Sequence, residues 1–189
     1  LAKSIDKKEW NAFYLALNAP NNIPNYPMGY QWFDLYPNGI YINQAGLQEI
    51  EIIKKEIKNS VLQIEKTRRF NIKKLNIKII DCVVIGFSQG GMITFELANY
   101  LQDQLGGIAI LSGRIIKDDL ILNNYLLKTP IFISHGNCDD VLPLENFKSA
   151  VNYLTNNKCN FESHILEGDT HIISPKTINL LQNFIKKNL

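Results

Sequence analysis

Gly86-Phe87-Ser88-Gln89-Gly90 sets one serine midway between two glycines. A serine hydroxyl attacks a carbonyl once a neighbouring base takes its proton. The spacing G-x-S-x-G suits a sharp turn from a strand into a helix, where the positions two before and two after the serine close on each other and leave little room for side chains. Such a turn holds Ser88 in a strained backbone conformation with its hydroxyl outward, and strain of that kind is kept at functional positions. The Gln89 N–H then lies at a helix start, without an intrahelical acceptor, and can donate to an oxyanion. A phosphate-binding glycine turn is the competing reading. The P-loop, however, requires Gly-Lys-Ser/Thr after four spacer residues, and no lysine follows here.

The base must come from three histidines. His164 lies mid-strand in "FESHIL" and points into a sheet face; His135 ends the apolar run "PIFIS" and opens a tight turn with Gly136. His171, in "EGDTHIIS", falls past the last strand and just before the last helix. In the architecture that carries this serine turn the chain order is Ser, then Asp or Glu, then His. Only His171 leaves room for an acid beyond the next strand end, so His171 is the candidate base and the other two are structural. The acid belongs after the strand at residues 130–134, where "HGNCDDVLP" offers Asp139 and Asp140. Either carboxylate can accept the imidazole Nδ1–H and fix its tautomer, and spacing does not choose between them.

These residues need a frame that brings strand ends together. Residues 79–85 are a nearly unbroken apolar, β-branched run, the pattern of a strand covered on both faces and hence of a parallel sheet. Residues 89–101 are helical in period, with Met92, Phe95 and Ala98 on one side. Further strands are expected at 108–111, 130–134 and 161–166. A helix is expected at 144–154, with Leu144, Phe147, Val151 and Leu154 inward, and a last one opens at Ser174-Pro175, an N-cap followed by proline at the first helical position. Ile178, Leu181 and Ile185 are the buried stripe of that last helix. Upstream, residues 45–70 carry Ile50, Ile53, Ile57, Val61 and Ile64 at helical spacing. "AFYLALNAP" at residues 12–20 reads as a short apolar strand, and the Pro-, Asn- and aromatic-rich stretch from there to residue 43 as a long irregular excursion. Alternating strands and helices from residue 79 onward predict an α/β fold, a mostly parallel sheet with helices on both faces. Chemistry in such sheets gathers beyond the carboxyl ends of the strands, where every candidate above falls.

The bulk properties narrow the classes. The chain has 189 residues, 46% of them hydrophobic, enough for one domain over residues 1–189 with its own core. Twenty basic against 18 acidic residues give a net charge of +2, with no long basic block, which does not suit a nucleic-acid binder. No apolar run approaches the roughly 18 residues of an integral membrane segment. Cys82, Cys138 and Cys159 are an odd number without metal-ligand spacing, so neither a disulfide framework nor a metal site is expected, and a reducing, cytoplasmic setting fits.

"GFSQGG" (residues 86–91), "HGNCDDVLP" (135–143) and "GDTHIIS" (168–174) together resemble the three signatures of the phospholipase/carboxylesterase family, small α/β-hydrolases that include the acyl-protein thioesterases. "NAPNNIP" and "GYQWFDL" extend the likeness over nearly the whole chain. The resemblance implies an α/β-hydrolase fold and a serine hydrolase of carboxylic esters or thioesters working through an acyl-enzyme without metal or organic cofactor. Its substrates would be a small-molecule ester, a lysophospholipid or an acylated protein. The family sets its acid directly after the cysteine of Gly-x-Cys-Asp, which implies Asp139, although proline often follows there and this chain has Asp140. Ser88, Asp139 and His171 are then the catalytic residues, with the Gln89 N–H in the oxyanion hole. The family's excursion after its early strand implies an acyl groove, with anchoring of a long loop to the core as the competing reading of its aromatics. Met28, Trp32 and Phe33 from that segment, with Leu142 of the acid loop, are the candidate substrate-binding residues. A homodimer is compatible with the resemblance. The family opens with one or two strands and a His-Gly-x-Gly loop that gives the second oxyanion donor, and no such loop precedes Ala12. Losing one such donor costs about 3 to 4 kcal/mol in the transition state. We therefore expect the domain to be N-terminally incomplete in this chain, with a second reading as a non-catalytic α/β scaffold or binding protein that retains the motif.

Overall fold

The computed structural model describes residues 1–24, 26–116 and 121–189. The chain opens with one helical turn, α1 (Ala2–Ile5), whose Ile5 is buried against the C-terminal helix side of the molecule. The strand expected at residues 12–20 is not formed. Residues 11–19 have no regular secondary structure and Phe13 and Leu15 are exposed. Apolar composition does not suffice for a strand, which needs a partner for its backbone groups and a covered face; among the described residues no strand pairs with this stretch.

The excursion that follows is more regular than its composition suggests. β1 (Asn21–Ile23) and β2 (Tyr26–Gln31) form an antiparallel ribbon with an irregularity between Asn22 and Ile23. Proline and glycine inside a strand argue against one in the sequence, and here they are tolerated because the ribbon has only two strands and no interior. Tyr26, Met28 and Tyr30 alternate along β2 and all three are exposed.

Helix α2 (Leu47–Leu75) begins where the Glu49 carboxylate turns back to accept the Gly46 N–H at 3.1 Å. It outruns the expected end at residue 70 and stops at Asn76, whose φ of 53° is left-handed. Ile53, Ile57, Val61 and Ile64 are buried along its inner stripe.

From residue 83 the alternation is realised as β3 (Val83–Phe87), α3 (Gln89–Tyr100), β4 (Gly107–Leu111), α4 (Asn124–Lys128), β5 (Ile131–Gly136), α5 (Leu144–Asn156), β6 (Phe161–Leu166) and α6 (Pro175–Asn188). The four strands are parallel and stand in chain order, β3-β4-β5-β6. The expected strand at 79–85 is displaced: Ile79–Asp81 is a 3-10 turn and pairing starts at Val83. Among the described residues β3 pairs with β4 alone, and Val83, Val84 and Ile85 are half-buried rather than covered on both faces.

Side-chain alternation explains the two-sided cover. On β4 and β5, Ile108, Ile110, Ile131 and Ile133 join the core formed with α2, α3 and α5. Ala109, Leu111 and Phe132, one position out of phase, join the core formed with Leu181, Phe184 and Ile185 of α6. Strands buried on both faces lose the polar–apolar alternation of an open sheet and read as continuous apolar runs. The last helix opens as its sequence predicts, the Ser174 hydroxyl accepting the Thr177 N–H at 3.3 Å with Pro175 at the first position.

Candidate active site

The turn between β3 and α3 is tight. Ser88 has φ 54° and ψ −121°, a positive φ on a residue with a side chain. Its backbone is held from both sides: the Ser88 N–H donates to the Leu111 carbonyl at 2.8 Å, and the Ser88 carbonyl accepts from Gly91 and Met92 at 2.9 and 3.2 Å. A Cβ on Gly86 would fall 2.0 Å from the Gly90 carbonyl oxygen, which is backbone and cannot swing away. The crowding expected at both flanking glycines is one-sided, however. A Cβ on Gly90 would meet nothing within 4 Å, whereas one on Gly91 would lie 3.2 Å from Gly86 O and from Ile110 Cγ2. The tight positions are thus 86 and 91.

Gln89 is the first residue of α3, and a first-turn N–H has no acceptor within its own helix. Its side chain does something the sequence did not disclose. Oε1 accepts the Trp32 N–H at 2.7 Å and Nε2 donates to the Phe33 carbonyl at 2.8 Å. The Ser60 hydroxyl on α2 donates to the Trp32 carbonyl. The segment after β2 is therefore tied by its backbone to the serine turn. Of the candidate substrate-binding residues, Phe33 and Leu142 are packed in the core, Trp32 is half-buried and Met28 is exposed.

Two loops at the carboxyl ends of β5 and β6 are joined by backbone contacts. Asn137 N–H donates to Leu166 O at 3.1 Å, Cys138 N–H to Asp169 O at 2.9 Å, and Gly168 N–H to the Asn137 side-chain oxygen at 2.7 Å. The approach is close enough that a Cβ on Gly136 would stand 2.2 Å from Asp169 O. This junction brings His171 Nδ1 to 2.8 Å from Asp139 Oδ2. Asp139, not the exposed Asp140, meets the imidazole. The other oxygen, Oδ1, accepts the N–H groups of Val141 and Leu142 at 2.9 and 2.8 Å. Burial pushes the Asp139 carboxyl upward, but the hydrogen bonds from His171, Leu142 and Val141 outweigh it and hold the group below the usual carboxylate range. With Nδ1–H committed to a carboxylate, the neutral tautomer of His171 carries its lone pair on Nε2, the nitrogen available as a base.

The imidazole packs on the serine turn. Its ring centroid is 4.8 Å from that of Phe87, the residue before Ser88. Serine turn, imidazole and buried carboxylate thus follow β3, β6 and β5 respectively, on one rim of one sheet. The other two histidines differ from each other. His164 lies 5.1 Å from the Phe132 ring and 3.4 Å from Glu162, away from the rim. His135 is buried, with Nε2 2.8 Å from the Leu142 carbonyl and 3.3 Å from Asp139 Oδ2.

The phospholipase/carboxylesterase family model matches residues 2–189. Acyl-protein thioesterase 1 of Saccharomyces cerevisiae is 34% identical over 139 residues, which cover 69% of this chain and 60% of that protein. A probable carboxylesterase of Oryza sativa subsp. japonica is 28% identical over 181 residues, covering 94% of this chain and 65% of that one. The matched part is thus less than two thirds of either relative. Among solved structures, SOBER1 of Arabidopsis thaliana superposes with a TM-score of 0.78 at 24% identity, over 98% of this chain and 89% of that one. A Bacillus cereus carboxylesterase gives 0.66 at 17% identity, over 91% and 74%. Likeness at that identity establishes the fold, an α/β-hydrolase.

Proposed function

We propose that this chain, which belongs to the phospholipase/carboxylesterase family, is a serine hydrolase of carboxylic esters or thioesters. Ser88 Oγ attacks the carbonyl carbon while His171 Nε2 takes its proton. Asp139 keeps the imidazole in the tautomer that has a free Nε2 and stabilises the imidazolium as it forms. The Gln89 N–H donates to the developing oxyanion. His171 then gives the proton to the departing alkoxide or thiolate, leaving an acyl group on Ser88. Water, deprotonated by the same imidazole, releases the acid and restores the serine.

The observation that carries this reading is the 2.8 Å hydrogen bond from His171 Nδ1 to a fully buried carboxylate, at the rim where the strained turn holds Ser88. A loop histidine that served only solubility would not be aimed at a buried Asp139. For the substrate, Met28 and Trp32 present surface on the ribbon side of the turn and suit contact with an acyl chain. Phe33 and Leu142 shape that wall from within the core. The name of the yeast relative makes an acylated protein the first substrate class to try, with lysophospholipids and small esters beside it. Three free thiols support a reducing, cytoplasmic setting for that action.

The test is hydrolysis of p-nitrophenyl esters of rising chain length and of an S-acylated peptide, beside a peptide amide. Ester or thioester turnover that vanishes in Ser88→Ala supports the reading. Ester turnover unchanged in Ser88→Ala, or none in the unaltered protein, contradicts it.

A further inference from the structure

His135 is a polar group that the proposed chemistry does not use, buried at its edge. It closes β5 with a wholly buried side chain, and its Nδ1 has no hydrogen-bond partner among the described residues. An unpaired buried nitrogen is unfavourable, and a leucine or methionine of similar size would avoid it. Something on the other side of the ring must offset that cost. Leu142 O is an acceptor only, so the 2.8 Å contact requires that His135 Nε2 carry the proton and donate it. Asp139 Oδ2 lies 3.3 Å from the same nitrogen. The N–H is thus given to the loop carbonyl, while the carboxylate oxygen that also receives His171 stands beside it in electrostatic contact.

The arrangement closes a ring. The Leu142 N–H donates to Asp139 Oδ1, the Leu142 carbonyl accepts from His135, and His135 also faces Asp139 Oδ2. Backbone amides alone fix Oδ1 and leave the carboxylate one axis about which Oδ2 can swing. The second imidazole, 3.3 Å from Oδ2 and bonded to Leu142 O, narrows that freedom. It sits on a strand rather than on a loop, with the Phe147 ring of α5 6.0 Å away, so the acid is referred to the rigid sheet.

Resting on the proposed Ser88–His171–Asp139 chemistry, we propose that His135 is a positioning residue: its Nε2–H, bonded to the Leu142 carbonyl and 3.3 Å from Asp139 Oδ2, holds the carboxylate in line with His171. It touches neither substrate nor Ser88 in this role and acts through the acid. Misplacement of a catalytic group by about 1 Å costs on the order of 100-fold in rate, which sets the scale of its effect.

The experiment compares His135→Gln, whose amide nitrogen reproduces the Nε2–H donor, with His135→Met, which fills the space and donates nothing. Two readouts are taken on proteins whose melting curves show them folded: kcat and KM on a p-nitrophenyl ester, and the far-downfield NMR resonance of the His171 Nδ1 proton. We expect His135→Gln to stay within about fivefold of the unaltered kcat and keep the resonance. His135→Met should lose about 100-fold in kcat with little change in KM, and its resonance should broaden or move upfield. Should the methionine variant not fold, His135→Asn takes its place, its shorter amide falling short of the Leu142 carbonyl. Unaltered kcat and resonance in the variant without the donor, or equal losses in the glutamine and methionine variants, would overturn the proposal. If the unaltered protein hydrolyses no ester, the proposed function fails while the proton resonance still reports whether His135 orders the Asp139–His171 pair.

Discussion

Asp139 and Asp140 are chemically identical neighbours with different surroundings. Asp139 is buried under two backbone amides and an imidazole, and Asp140 is exposed. Asp139→Asn should therefore lower kcat by about 10⁴-fold, since an amide no longer selects the tautomer, while Asp140→Asn stays within a few-fold; steady-state kinetics on one ester decides it. The same environment sets an acid limit on stability. The folded-state pKa of Asp139 is depressed, so its contribution is present in full above the unfolded value of about 3.9 and is lost as pH falls through the folded value. Melting temperature followed from pH 6 downward should fall more steeply below about pH 4 in the unaltered protein than in Asp139→Asn. Equal slopes would show that the carboxylate gains nothing from its partners. At this scale the sequence was partly readable. Ser88 and His171 were named as candidates from residue type and chain order, because few residue types can serve as nucleophile and base. Naming Asp139, the carboxylate that meets His171, needed the resemblance, because spacing cannot separate adjacent carboxylates. The Gln89 side chain makes its contacts across 56 or 57 residues and His135 is buried within the fold, neither of which a local pattern records.

At the scale of the element, the serine turn depends on two glycines that are not the symmetric pair of the motif. Gly86→Ala would drive a Cβ into backbone atoms at 2.0 and 2.2 Å, so the turn cannot close and soluble, active protein should be lost. Gly90→Ala meets nothing within 4 Å and replaces glycine by alanine inside α3, so melting temperature should not fall and hydrolysis should persist within a few-fold. Activity assays and melting curves on the pair test the asymmetry directly. Elements with a strong local signal were legible: β6 spans residues 161–166 as expected, and α6 starts at Pro175 behind its serine cap. Those that depend on partners were not. Residues 12–20 have strand composition without a strand, and the β1–β2 ribbon has strand structure without the composition. Pairing, a tertiary property, decided both.

At the scale of the whole molecule, the sheet is a two-faced wall whose carboxyl rim presents the three candidate groups. Its interior strands supply both cores by alternation, and Ile110 of β4 is wholly buried beneath the serine turn, its Cγ2 facing Gly91 and Gly113. Ile110→Ala should cost about 2–5 kcal/mol, read as a lower urea midpoint with an unchanged slope. Loss of reactivity at Ser88 should accompany it only where the protein unfolds. The alternation of strands and helices made this frame visible in the sequence. That β3 pairs on one side only among the described residues was not visible, because β-branched composition reports burial propensity and not the number of neighbours a strand has.

The proposed nucleophile is one hydroxyl, activated by one imidazole on one buried carboxylate. Labelling with a fluorophosphonate, followed by peptide mass spectrometry to locate the adduct, tests it most directly. A single adduct on Ser88 is expected, formed far more slowly in His171→Ala and in Asp139→Asn. An adduct on any other residue, or labelling of Ser88 at an unchanged rate without His171, would contradict it.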